Sequence, residues 1–290
     1  MKIASIQFKL KKIENFEDFK SHVEKLVNQA KMEEALFTVF PEVFTLELAT
    51  IYLPKMDLKQ ALRKVAEEYC ESFKQFFSDL ARKNRMYIIA GSTLEKDVET
   101  GKYYNTSFLF YPDGRIVKHR KLHLYPTADP ELSVDGFGEN LQVFQTSEAK
   151  ISILICYDSI FPETSRILRL MGAEIIFVPS AAPWSESLFW DLRICCEARA
   201  IENQLIVAHS CLIGKLEEAE NMEFFGKSSI LYPGRGKVLA DGRMGEELVV
   251  VGDVDLERLR RSRGKNARVL KDMRPEIYSW LCKNQWKYKE

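Results

Sequence analysis

Long apolar runs are missing from this chain, and so is any excess of charge of one sign. No stretch stays apolar for the roughly 20 residues that a helix needs to span a bilayer. Lysine plus arginine number 42, aspartate plus glutamate also number 42, and the formal net charge is zero. A nucleic-acid partner or an anionic membrane surface would favour a basic bias, so neither is expected. Six cysteines are present: Cys70, Cys156, Cys195, Cys196, Cys211 and Cys282. They form no C-x-x-C pair and no disulfide-framework spacing, and the adjacent Cys195 and Cys196 are poorly placed to bridge each other. All six read as reduced thiols of a reducing compartment. Low-complexity linkers and repeats of solenoid period are absent too. Met1 to Phe8 reads directly as a strand and not as a secretory leader, and the expected location is the cytosol.

What is there is enough for a large core. The chain has 290 residues, 46% of them hydrophobic, which suits one domain of alternating strands and helices with a mixed sheet. Residues 2–8 read as a buried strand and 15–34 as an amphipathic helix, with Phe16, Phe19, Val23, Leu26, Val27 and Ala30 on one stripe. Residues 36–41 form a strand closed by Pro41. Residues 57–83 keep a helical period through Leu58, Leu62, Val65, Tyr69, Phe73, Phe76 and Leu80. A strand follows from Met86 to Ala90. Tyr104–Tyr111 and Arg115–Lys121 read as a hairpin across Pro112-Asp113-Gly114. Residues 122–140 read as a long polar loop, a length that inside a compact chain points to function or disorder. Later strands are expected at Ile151–Ile155, Glu174–Pro179, Gln204–Ser210, 224–231 and 246–253, with a helix at 186–202. A Gly-rich turn region is expected at 233–245. The charged segment 255–290 is expected to hold a short helix from Pro275.

The chain is organised around residues 151–163. The apolar run Ile151 to Ile155 reads as a buried strand. Cys156 stands where it ends, and Phe161-Pro162-Glu163 opens a helix with Pro162 in its first turn. A thiol at such an elbow reaches the rim of a sheet, where amide N–H groups can face a developing negative charge. The alternative is that Cys156 only fills space, as free cysteines often do.

Two more ionisable residues occupy strand ends, where α/β sheets commonly build sites. Glu42 follows the strand closed by Pro41, and Lys121 closes the second strand of the hairpin. A thiol needs a base to become a nucleophile, which Glu42 supplies. A fixed positive charge at Lys121 would stabilise a tetrahedral oxyanion. Taken singly, Glu42 reads more readily as a helix cap and Lys121 as a solvated charge, and it is their joint presence that favours a site.

Together these segments resemble the nitrilase, or carbon–nitrogen hydrolase, superfamily. The resemblance is carried by Phe40-Pro41-Glu42, by His119-Arg120-Lys121-Leu122-His123 and by Ile155-Cys156-Tyr157-Asp158-Ser159-Ile160-Phe161-Pro162-Glu163. Supporting segments are Gly91-Ser92, Tyr104-Asn105, Val178-Pro179-Ser180, the run Glu197 to Asn203, and Phe225-Gly226-Lys227-Ser228. It extends to about residue 255, and implies a domain over 1–255 with an extension, 256–290, packing on that domain or on a partner subunit. The implied fold is a four-layer αββα sandwich that pairs into a homodimer or larger homo-oligomer. The implied chemistry is metal-free and cofactor-free hydrolysis of a small-molecule amide. Glu42 would deprotonate Cys156, Lys121 and the backbone N–H of Tyr157 would hold the oxyanion, and the thioester would be hydrolysed. Family members often carry a second glutamate after the lysine. Glu131 in Asp129-Pro130-Glu131 is the best match, with Glu139 its competitor. Cys156-Tyr157-Asp158 resembles the amidase and carbamoyl-amidase branches, whereas nitrile-cleaving members usually show Cys-Trp-Glu. Trp184 and the loop 180–184 are expected to line the substrate pocket. The alternatives within the resemblance are a non-catalytic or regulatory binding protein and an acyltransferase using the same thioester.

Other patterns carry less. His119, Lys121 and His123 share a strand face, but no ligand set with metal spacing accompanies them. Gly234-Arg235-Gly236-Lys237 lacks the full phosphate-loop frame and precedes a strand, so it reads as a turn. Cys195 and Cys196 read as helix packing residues, and Glu197, Arg199 and Glu202 as a charge network near the site.

Overall fold

The computed structural model describes residues 1–53, 55–182, 186–216, 222–234, 237–266 and 268–283. The chain begins β1 (Lys2–Lys9), α1 (Phe16–Met32), β2 (Ala35–Val39), α2 (Leu46–Ala49), α3 (Leu58–Asn84), β3 (Tyr87–Ile89) and β4 (Thr93–Lys96). There follow β5 (Tyr103–Phe110), β6 (Ile116–Arg120), α4 (Ala128–Glu131), β7 (Phe144–Gln145) and β8 (Lys150–Ile153). After a 3₁₀ turn, Cys156–Ile160, come α5 (Pro162–Leu170), β9 (Ile175–Ser180), α6 (Glu186–Asn203), β10 (Ile206–Leu216), β11 (Met222–Phe225) and β12 (Ser229–Tyr232). The chain continues through β13 (Lys237–Asp241), β14 (Leu248–Asp253), α7 (Leu256–Asn266), α8 (Arg268–Lys271) and α9 (Pro275–Lys283).

Strand pairing divides into two half-sheets. One runs β4-β5-β3-β2-β1, with β6 on β5 and β14 on β1; the other runs β10-β9-β8-β7, with β12 on β10. They meet where the end of β1 pairs in parallel with the far part of β10, Phe8 with Leu212 and Lys9 with Ile213. Side chains alternate between faces along each strand. Ile3, Phe37, Val39, Tyr87 and Ile89 from the first half pack against Ile151, Ile153, Ile175, Phe177 and Ile206 from the second. The opposite face of the first half, with Ile6, Phe8 and Ile88, meets Phe19, Val23 and Leu26 of α1 and Phe73, Phe77 and Leu80 of α3. The opposite face of the second half, with Ile176, Val178 and Val207, meets Leu168 of α5 and Cys196 and Ala200 of α6. Helix, sheet, sheet and helix thus stack as the expected four-layer αββα sandwich.

The principal helices begin where local chemistry starts them. Asn15 caps α1 and accepts from Asp18 N at 3.1 Å, while Asp18 returns a contact to Asn15 N, a capping box. Asp57 caps α3. Among the described residues no helix is long and apolar enough to cross a membrane.

Several elements differ from expectation. The single strand expected at 224–231 is two, β11 and β12, because Gly226 and Lys227 take φ of 89° and 68°. Part of the turn region at 233–245 is β13, paired antiparallel with β12. Its short, half-polar sequence has no strand signal apart from its neighbour. The segment after 255 carries α7 besides the helix at Pro275, and α7 places Leu256 and Leu259 in the core between the half-sheets. Arg260 Nε of α7 lies 2.7 Å from Glu174. The loop 122–140 contains the short helix α4, and Gly138 N donates to Lys121 O at 2.7 Å.

Candidate active site

Glu42 is placed by the turn that follows β2. Phe40 N still bonds Ile89 O at 2.9 Å, after which Pro41 ends the ladder. Val43 has a φ of 41°, an uncommon value for a branched residue, and its N–H donates to Ser92 Oγ at 3.0 Å. Gly91 makes room for this turn. A Cβ there would stand 1.9 Å from Pro41 O, and its φ is +49°. The Gly91-Ser92 pair therefore supports the Glu42 turn from below.

Lys121 extends β6 by one residue, its N–H donating to Asn105 O of β5 at 2.9 Å. Cys156 follows β8 and opens the 3₁₀ turn with a φ of 47°. A non-glycine residue in this region is strained, and the surrounding structure has to hold it there. Asp158 does much of that holding. It is fully buried and accepts from Ile155 N at 3.1 Å, Leu122 N at 3.2 Å and His123 N at 2.8 Å. One carboxylate thereby ties the Lys121 strand end to the Cys156 turn. His123 Nδ1 lies 3.0 Å from it and His119 Nε2 3.9 Å, so both histidines face Asp158. Burial opposes its ionisation, but the nearby His119 ring and the hydrogen bonds from His123 outweigh that and bring its pKa down to about 2. From the other side, Arg199 Nε donates to Ser159 O at 2.9 Å.

These elements bring Glu42, Lys121 and Cys156 to one pocket. Lys121 Nζ donates to Glu42 Oε1 at 2.8 Å, Asn105 Nδ2 donates to the same oxygen at 2.9 Å, and Ala181 N donates to Oε2 at 3.0 Å. Cys156 lines the same pocket as Glu42, Lys121 and Ala181. Glu42 and Lys121 are each 3% exposed. Burial pushes the Glu42 carboxyl above its ordinary range against the pull of Lys121. Burial and then the charge of Glu42 push the thiol well above its ordinary value. Burial also opposes the Lys121 charge, but Glu42, Cys156 and Asp129 together prevail and its pKa is raised. The ammonium is thus permanent, and the thiol at rest keeps its proton.

A second carboxylate stands in the pocket. Asp129 of α4 is buried, and its Oδ2 accepts from Lys121 Nζ at 2.7 Å and from Tyr125 N at 2.6 Å. The structure does not bring Glu131, expected in this role, to the site. Its side chain is 66% exposed and pairs with Lys59 at 3.3 Å. A turn of α4 points successive residues in different directions, so of Asp129-Pro130-Glu131 only the aspartate faces inward. Glu139 is exposed as well. Tyr157 lines the pocket, in edge contact with Tyr125 and Phe161 at 5.1 Å each. Trp184 lies outside the described residues. The cavity is walled by Tyr125, Ala128, Leu132, Tyr157, Ile160, Ala181, Ala182 and Leu192. Asp129, Asn105 and Asp158 carry no role in the sequence reading. Asn105 and Asp158 sit inside the segments that carry the resemblance, but nothing local to Asp129 separates it from Glu131.

Comparison with known proteins agrees with this architecture. A family model described as carbon-nitrogen hydrolase matches residues 2–263. A protein of Bacillus subtilis (strain 168) named "Probable hydrolase YhcX" is 40% identical over 285 residues, covering 96% of this chain and 54% of its own length. This chain therefore spans about half of that relative. An omega-amidase of Xenopus tropicalis is 31% identical over 263 residues, covering 88% of this chain and 89% of its own. The crystal structure of a carbon-nitrogen hydrolase from Helicobacter pylori G27 superposes with a TM-score of 0.84 at 25% identity, covering 98% of each chain.

Proposed function

The chain belongs to the carbon–nitrogen hydrolase family, and we propose that it cleaves the carbon–nitrogen bond of a small linear amide or N-carbamoyl compound through a thioester on Cys156. The observation that carries this reading is the convergence of Cys156, Glu42 and Lys121 on one pocket, with the Lys121 ammonium 2.8 Å from the Glu42 carboxylate. Glu42 takes the thiol proton as sulfur attacks the carbonyl carbon. Negative charge passes to the carbonyl oxygen, where Lys121 and the N–H of Tyr157 stabilise it. Glu42 then delivers its proton to the leaving nitrogen, the C–N bond breaks, and ammonia or an amine departs. Water enters, Glu42 removes one of its protons, and the resulting hydroxide attacks the thioester. The C–S bond breaks, the acid is released, and the sulfur recovers a proton from Glu42. The raised pKa of Glu42 suits a group that both accepts and returns a proton near neutrality. Asp129 helps hold the Lys121 ammonium in place.

We also propose that the protein acts as a homodimer in a reducing compartment. The outer helices α5 and α6 expose Ile167, Leu170, Ile194 and Ile201, each 45–59%, and apolar side chains exposed on packed outer helices suit a second copy. The described cysteines are free thiols.

Replacing Cys156 with alanine is the direct test. Turnover across a panel of linear amides should vanish while the thermal midpoint stays close to wild type. Wild-type protein incubated with its best amide should carry an acyl adduct at Cys156 by mass spectrometry. Activity surviving in Cys156→Ala would end the proposal.

A further inference from the structure

The floor and the walls of the pocket differ in character. On the floor, every ionised group is already matched by another floor group or by the backbone. Lys121 Nζ is shared between Glu42 at 2.8 Å and Asp129 at 2.7 Å. Glu42 has further donors in Asn105 and Ala181 N, and Asp129 has two, Tyr125 N and, at 3.5 Å, Asn105 Nδ2. With the thiol neutral, the set carries one net negative charge. The walls offer Leu132, Ile160, Leu192 and three alanines beside the rings of Tyr125 and Tyr157. Among the described lining residues Lys121 is the one cation, and both carboxylates compete for it.

Building on the hydrolase reading above, we propose that the substrate's acyl group is short, aliphatic and uncharged, and that Asp129 excludes amides bearing a free carboxylate. A carboxylate two or three carbons from the scissile carbonyl would leave water for a wall of leucine and isoleucine. Among the described wall residues only the Tyr125 and Tyr157 hydroxyls could donate to it, too few to replace the water it loses. It would also sit within a few ångströms of a floor with surplus negative charge, where repulsion is strong at the low effective dielectric of a closed pocket. A terminal methyl in the same place loses nothing and gains apolar contact. A terminal ammonium is drawn to the floor's surplus charge but must give up its water to the same apolar wall, and both floor carboxylates already hold donors of their own, so it gains nothing over the methyl.

The experiment compares three amides of matched length: butyramide, succinamate and 3-aminopropanamide. Butyramide should exceed succinamate in kcat/KM on the order of a hundredfold, and should exceed 3-aminopropanamide as well. In Asp129→Asn the floor loses its surplus charge, so the gap to succinamate should close by about tenfold, mainly through KM. Should that variant fail to fold, Leu132→Lys puts a cation on the wall and should likewise favour succinamate. Protection of Cys156 from iodoacetamide, read by mass spectrometry, supplies a measure independent of turnover: butyramide should protect and succinamate should not. Succinamate or 3-aminopropanamide matching butyramide in both turnover and protection would overturn the assignment while leaving the hydrolase reading intact. Selective protection by butyramide with no turnover of any amide would overturn the hydrolase reading instead.

Discussion

Asp158 touches no reacting atom in the proposed mechanism, yet the geometry makes it a good place to perturb the site. Its carboxylate receives the backbone N–H groups of Ile155, Leu122 and His123 and stands 3.0 Å from His123 Nδ1. Two independent routes give the size of its contribution. The fall in pKa from 3.8 to about 2 corresponds to about 2 kcal/mol of folding stability at neutral pH. Loss of a buried, charge-assisted hydrogen bond costs about 1.5–3 kcal/mol. In Asp158→Asn one oxygen remains as an acceptor, but the new NH₂ group meets the Ile155 N–H donor to donor. The variant should therefore lose about 2–3 kcal/mol in urea unfolding and roughly 4–8 °C in thermal midpoint. Its kcat/KM should drop by about 10- to 100-fold, because the Cys156 turn and the Lys121 strand end are no longer pinned together. The sign of the pH dependence follows from a folded pKa below the unfolded one. The wild-type advantage is complete above the unfolded value of 3.8 and fades as pH falls through about 2, so roughly half should remain near pH 3. Equal stability of the two proteins at pH 7, or a deficit that is undiminished at pH 3, would refute the reasoning.

Three further outcomes are expected. The acid limb of the kcat/KM profile should have its midpoint above 4.5, the ordinary glutamate value, because burial raises Glu42 and activity is lost as pH falls through that raised pKa; a midpoint at or below 4.5 would count against Glu42 as the base. Gly91→Ala forces a methyl group against Pro41 O at 1.9 Å, and should cost at least about 2 kcal/mol in chemical denaturation and lower kcat by displacing Glu42. Ile194→Glu, on a side chain that is 59% exposed, should turn a dimer into a monomer in analytical ultracentrifugation with little change in unfolding; an unaltered mass, or a monomeric wild type, would remove the dimer proposal.

The sequence makes the residues proposed to react more legible than the residues that hold them. Glu42, Lys121 and Cys156 each stand at the end of an apolar strand, and the period of such strands is readable without coordinates. The four layers are readable for the same reason, since Ile151, Ile153 and Ile155 alternate with Ser152 and Leu154 and so divide between two faces. Asp129 is different. It and Glu131 are both acidic, two residues apart, and only the direction of a single helical turn decides which of them meets Lys121. Asp158 and Asn105 work through contacts to segments 35 to 63 residues distant, and no local pattern encodes a partner that far along the chain. The strand β13 fails for a related reason: Val238 and Leu239 become strand residues because β12 lies beside them.

The charges of the pocket also constrain when the nucleophile forms. A thiolate at rest would make Cys156 a third anion beside Glu42 and Asp129, facing one ammonium in a buried site. Burial and the Glu42 charge both resist that state and keep the proton on sulfur. The proton can leave only when its charge has somewhere better to go, and a bound carbonyl oxygen beside Lys121 and the Tyr157 N–H is such a place. In the proposed mechanism proton transfer and attack are thus coupled: Glu42 gains the proton and loses its charge as the carbonyl oxygen gains one, and the total in the pocket stays constant. A pocket built this way spares its thiol from the reactivity of a free thiolate toward oxidants. The same balance explains why Lys121 is held by two carboxylates: its charge is fixed in position before the oxyanion appears, so little reorganisation is needed when it does.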